Sequence, residues 1–278
     1  MPAMRVSPKP SLPAAEPRLP RGKDFNGKPF NGLHFTPSAG DLFVGGASSR
    51  DVAQGNLGDC FFLASLAAVA RLKPSLVKNA VRANKDGTFT VTFQQHTRGG
   101  TKPVEITVDG TLPADAEGRR TFGRSTTRSE RWPAIYEKAF ASFKGGYDRL
   151  DKGGYANEVL THLTGKPARK VDLGKLSGAK LWSALSAADR AGQPMVSGTP
   201  GLAALRRATG RKDQGGLLDD HDYAVVGLQQ RSGEKFVELY TPLTPSEGGG
   251  RAWDKRRTLE LPFELYRKAF DELTIGMV

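Results

Sequence analysis

The sequence predicts an α+β fold of two lobes with a cleft between them, helix-rich in the first half and β-rich in the second. Three observations carry this. Residues 57–72 (LGDCFFLASLAAVARL) form an apolar, alanine-rich run too long for a strand. Residues 131–144 repeat apolar side chains at helical spacing, with Trp132, Ile135, Tyr136, Ala139, Phe140 and Phe143 on one face. After Gln193 the pattern changes to short alternating apolar runs. A chain of 278 residues has room for one large domain or two modest lobes, and its 33 glycines and 18 prolines predict many loops.

The elements follow in order. Residues 1–40 hold eight of the prolines and six basic residues against two acidic ones. They show no sustained apolar period, so they are expected to be a disordered, basic leader. The first lobe is assigned to 41–170 and carries the helix of 57–72, with Asp59 as its N-cap and Lys73-Pro74 as its stop. A short helix over 75–81 and a hairpin from 88–94 and 103–108 come next, the latter after the turn Asp86-Gly87. Helices over 131–144 and 155–163 complete the lobe. The second lobe, 171–278, begins with a helix over 176–190. Strands follow at 195–196, 222–229 and 236–240, the last two joined through Arg231-Ser232-Gly233. Strands near 259–261 and 272–278 flank a short helix over 263–270.

Composition removes several functions. No stretch approaches 18 consecutive apolar residues, so no membrane-spanning helix is expected, and the charged start lacks the apolar core of a secretory signal. One cysteine excludes an intramolecular disulfide and a multi-thiolate metal site. His34, His96, His162 and His221 lack metal-ligand spacing. The net charge of +12 attracts acidic partners without specificity, and nucleic acid is not an expected partner.

Cys60 falls at a predicted helix start, where unpaired N–H groups and the helix dipole favour a thiolate. Gln54 precedes it by six residues across two glycines, so its amide can turn back beside the Cys60 N–H as a second oxyanion donor. His221 opens an apolar strand and can shuttle the thiol proton.

The run Gln-Gly-Asn-Leu-Gly-Asp-Cys-Phe-Phe-Leu-Ala-Ser-Leu from Gln54 resembles the active-site block of the calpain family of cysteine proteases. His221-Asp222-Tyr223-Ala224-Val225 resembles that family's histidine strand. Residues 132–146 and 153–165 are similar to its intervening segments, and the four blocks keep family order over about residues 41 to 245. The resemblance implies a papain-like fold with Cys60 as nucleophile, His221 as base and acid, and Gln54 as oxyanion donor. It implies a cysteine endopeptidase acting on protein or peptide through a thiolate–imidazolium pair and an acyl-enzyme. Calcium enters only through the resemblance; no cofactor is otherwise expected. The same dyad would also serve acyl transfer or deamidation, and an inactive fold would serve as a basic binding module. The location expected is cytoplasmic, or exported without a cleavable signal, as for an effector or toxin.

Two departures stand out. Thr241 occupies the place of the family's asparagine in Tyr240-Thr241-Pro242-Leu243. Its hydroxyl can accept the ring N–H but reaches less far. Asp220 stands where the family usually has glycine, in Asp219-Asp220-His221-Asp222, and these carboxylates are expected to favour a charged imidazole and to make the cleft rim acidic.

Overall fold

The computed structural model describes residues 16–210, 216–243 and 257–278. The first lobe is built on α1 (Cys60–Leu72), α2 (Pro74–Ala80), α3 (Trp132–Lys144), α4 (Tyr147–Leu150) and α5 (Ala156–Thr164). Around them lie the two-stranded pair β1 (His34–Pro37) with β6 (Thr111–Ala114) and the three-stranded sheet of β3 (Val81–Ala83), β4 (Phe89–Thr97) and β5 (Gly100–Val108). A further short pair joins β2 (Val52–Ala53) to β7 (Arg124–Ser125).

Ten consecutive residues of α1, Phe61 to Ala70, are buried. A helix apolar on every side must be enclosed on every side. It is held between α5 and the second lobe's sheet, with Phe62 stacked on Phe140 of α3 at 4.3 Å. Pro133 sits in the first turn of α3, where no N–H is missed, and Gly145 ends that helix at φ 95°.

The second lobe is an antiparallel sheet of six strands: β8 (Arg169–Asp172), β9 (Met195–Gly198), β10 (Asp222–Arg231), β11 (Glu234–Tyr240), β12 (Thr258–Pro262) and β13 (Glu272–Ile275). Their spatial order is β12-β11-β10-β9-β13-β8. Helices α6 (Gly178–Arg190), α7 (Leu202–Thr209) and α8 (Phe263–Ala269) belong to the same lobe. From Tyr223 to Val226 the central strand β10 is apolar and buried without a gap because both of its faces are covered there. Ala224 and Val226 join the core of the first lobe, while Tyr223 and Val225 join that of the second. The cleft opens where the edge of this sheet meets the start of α1.

The leader departs from expectation. Its first 15 residues lie outside the described ones, but residues 16–40 are folded onto the first lobe. β1 pairs with β6 in register His34↔Ala114, and Leu19, Phe30, Leu33 and Phe35 pack against the core. Apolar residues scattered without a period found a surface made by other elements, which a period search does not detect. The contact is reinforced by Lys138 of α3. Its buried ammonium donates to Asp109 (2.8 Å) and the Thr111 carbonyl (2.9 Å) and lies 4.6 Å from the Phe35 ring centre.

Candidate active site

Cys60 is the first residue of α1 and is half-buried at the edge of a cleft of ≈ 520 Å³. Gln54, Gly58, Asp220, His221 and Asp222 line the same cleft. The three candidates Cys60, His221 and Gln54 are therefore brought together, from two lobes. Closest to the sulfur are two backbone N–H groups aimed at it, from Phe61 in its own helix and from Asp222 at the start of β10.

His221 is held from several sides. The Thr199 N–H donates to the His221 carbonyl at 3.0 Å, and the His221 N–H donates to the Thr199 hydroxyl at 3.1 Å. The ring packs edge-on to Tyr223 at 4.8 Å. Its Nε2 shares a hydrogen bond with the Thr241 hydroxyl at 3.0 Å. The β10–β11 hairpin accounts for that pairing: Ala224 lies opposite Tyr240, so the residues flanking the two strand ends meet. The threonine's short reach is met because it follows β11 directly. Thr199 was not singled out by sequence reading, since a Ser-Gly-Thr-Pro run after a strand has no distinguishing mark.

The Gln54 loop is shaped by close backbone approach. Any Cβ at Gly55 would lie 2.0 Å from the Thr121 carbonyl, so only glycine fits there. Gln54 Nε2 donates to the Leu57 carbonyl at 2.7 Å, which leaves its second N–H uncommitted, and Oε1 accepts from no described residue. The Gln54 backbone N–H donates to the Pro242 carbonyl at 2.6 Å. Residues 241–243 thus touch both sides of the cleft: the histidine through Thr241 and the glutamine through Pro242.

Asp59 corrects one expectation. It occupies the N-cap position but makes no capping bond. It is fully buried and turned toward Glu137 of α3, which is equally buried and accepts from the Gly123 N–H at 2.8 Å. Two carboxyls enclosed together cannot both ionise. Burial first and the charge of Glu137 second hold Asp59 well above the carboxylate range, so it is the protonated partner, donating to Glu137. Burial also lifts Glu137, to about 7.

The charge state of the pair also differs from expectation. Burial pushes the Cys60 thiol well up, with smaller contributions from Asp222 and Asp59, against the two N–H groups that favour a thiolate. Burial alone lowers the His221 imidazole to about 3. The three carboxylates that flank it in sequence do not act on it; enclosure of the ring is the one cause. Burial thus works against charge on both the thiol and the imidazole.

Asp220 holds φ +45°, a left-handed backbone in which glycine is at ease, and Asp222 is raised by burial to about 7. Calcium takes six to eight oxygen ligands. Among the described residues no group of three or more His, Cys, Asp or Glu side chains is placed to hold a metal ion, and no chemical step below passes through one.

The sequence model of the calpain family cysteine proteases matches residues 32–258. Similar proteins include the calpain-type cysteine protease ADL1 of Oryza sativa subsp. japonica, 29% identical over 72% of this chain and 9% of its own length. Calpain-8 of Mus musculus is 32% identical over 76% of this chain and 30% of its own, and calpain-12 of Homo sapiens 33% over 66% and 24%. The chain thus spans under a tenth of the rice protein and less than a third of these animal ones. The matched stretch reaches from just before β1 to the start of β12, taking in the glutamine loop, α1 and the histidine strand, and by it the chain belongs to the calpain family of cysteine proteases.

Proposed function

We propose that the chain is a cysteine endopeptidase that hydrolyses peptide bonds through Cys60 and His221. The observation that carries this is the meeting of a half-buried thiol at a helix start with the backbone N–H next to the histidine, in a cleft open to solvent. The Thr241 hydroxyl accepts the Nε2 proton, which leaves Nδ1 bare as the base. As a substrate carbonyl arrives, Nδ1 takes the thiol proton while the sulfur bonds to the carbonyl carbon. The negative charge that forms on oxygen is met by the Cys60 N–H and the free N–H of Gln54. Collapse breaks the C–N bond, and the imidazolium returns its proton to the leaving amine. Water then attacks the thioester with His221 again as base, releasing the acid and restoring the thiol. The same helix start that carries Cys60 favours charge on its sulfur during attack, against the burial that opposes it.

The test is cleavage of an unstructured protein substrate. Cys60→Ala is expected to abolish it, and iodoacetamide is expected to label Cys60 of the parent in step with loss of activity. Undiminished cleavage by Cys60→Ala would overturn the reading.

A further inference from the structure

Beside the histidine the cleft has a branch. A recess of ≈ 220 Å³ shares Gly154, Asp220, His221 and Asp222 with the main cleft and ends on Asp271 and Glu272. Its floor follows from the sheet register. Gly198 of β9 lies opposite Asp222 of β10 on one side and Glu272 of β13 on the other. The two acidic side chains stand on the same face, two strand spacings apart, roughly 9–10 Å. The glycine between them lets the Asp222 carboxylate lean over it: a Cβ there would come 3.0 Å from Asp222 Oδ1 and 3.8 Å from Glu272 Cβ. The result is a shallow recess walled by carboxylates.

The charges in it are unbalanced. Lys170 is the one cation among the described residues that reaches the group: it pairs with Glu272 at 3.1 Å and lies over the Tyr155 ring at 4.2 Å. Asp220, Asp222 and Asp271 have no ion-pair partner among the described residues. The Asp222 carboxylate, enclosed by protein apart from the side it shows to the recess, accepts no hydrogen bond from any of them. Burial and then the charges of Glu272 and Asp271 raise it, against Lys170. Asp271 is raised by burial and by Glu272 and Asp220. A carboxylate with no donor from the protein takes one from water or from whatever enters the recess. Because the recess opens on the imidazole, whatever supplies it sits next to the bond being cut.

We propose that this recess binds a lysine or arginine side chain of the polypeptide substrate, so that the enzyme cleaves next to a basic residue. The recess suits such a chain: Gly154, Tyr155 and Ala156 line it for the methylene stem, and its acidic residues face the head. The proposal rests on the endopeptidase reading for its setting, and its test separates the two.

Peptides identical except for arginine, lysine, norleucine or leucine at each position flanking the cut are compared by kcat/KM. The basic residue is expected to be preferred at one position by at least tenfold over norleucine, and the preference to shrink with added salt. Asp222→Asn and, separately, Glu272→Gln are each expected to reduce the arginine-to-norleucine ratio several-fold. The ratio is taken within one preparation, so loss of folded protein cancels. The same peptides are titrated against the Cys60→Ala chain by calorimetry, where binding is read without cleavage. Cleavage with no basic preference, or a ratio unmoved in both variants, overturns the recess and leaves the endopeptidase reading standing. Tight, salt-sensitive binding of arginine peptides by Cys60→Ala, with no cleavage by the parent, upholds the recess and overturns the endopeptidase reading.

Discussion

The two banks of the cleft are built on opposite principles. On the cysteine bank, a helix apolar all round is locked in a core, and the acid that precedes it, Asp59, is neutralised by a shared proton with Glu137. On the histidine bank, strand ends carry Asp220, Asp222, Asp271 and Glu272, most of them without a cation, and the orienting group is a single hydroxyl. Rigidity on one side comes from packing; on the other it comes from a few hydrogen bonds around an excess of charge. The contrast teaches that Cys60 is placed by the packing of the fold, whereas His221 is placed by local polar contacts.

That contrast is sharpened first at Gln54, where packing and chemistry meet. Gln54→Ala is expected to lower kcat by about 10²–10³-fold with a small change in KM, the size of one lost oxyanion donor. Steady-state kinetics on a peptide substrate checks it, and an unchanged kcat would remove the side chain from the machinery. Next in size is the carboxyl pair. Glu137→Ala strands Asp59 and the Gly123 N–H in an apolar interior and is expected to cost about 2–4 kcal/mol, measured by urea unfolding.

The banks should also respond oppositely to pH. The folded His221 ring refuses a proton down to about 3, while the unfolded chain takes one near 6.5. Below 6.5 the unfolded state therefore binds more protons, and this residue makes stability fall as pH drops, by a few kcal/mol in all. Glu137 has the reverse sign: its folded value of about 7 exceeds the unfolded 4.5, so its contribution declines as pH rises between them. Urea midpoints of His221→Ala and Glu137→Gln against the parent, from pH 4 to 8, separate the two slopes; parallel curves in all three proteins would contradict both.

Smaller effects belong to the histidine bank. Thr241→Ala is expected to lower kcat about tenfold, with Thr241→Ser restoring most of it, because the hydroxyl orients the ring and does not touch substrate. Asp220→Gly relieves a φ of +45° and is expected to stabilise the fold by up to about 1 kcal/mol, read as a rise in Tm.

Legibility in the sequence follows the same division. Helices α1 and α3 were readable because long apolar periods state their environment directly, and the Cys60 and Gln54 block stood out by its residues. The β10–β11 hairpin was readable from alternation and from Ser232-Gly233, whose φ values of 51° and 83° demand such a turn. Short elements such as β1, β6 and α7 were not, since their partners are distant and their own patterns are only a few residues long. Asp59 does stand at the N-cap, as an acid before a helix suggests, but its side-chain partner is on another helix, which no local pattern states. The charge on His221 was misjudged for a related reason: nearby carboxylates can be read along the chain, but enclosure cannot.

The three residues 241–243 have a mechanical consequence. Thr241 aligns the imidazole, while Pro242 and Leu243 hold the backbone of Gln54. In the proposed mechanism a single short stretch is therefore the common datum for the proton acceptor and for the cradle of the oxyanion. Displacing it would disarm both halves of the reaction together, so that damage there is felt as all-or-none rather than graded, and restoring it would re-arm them in one movement.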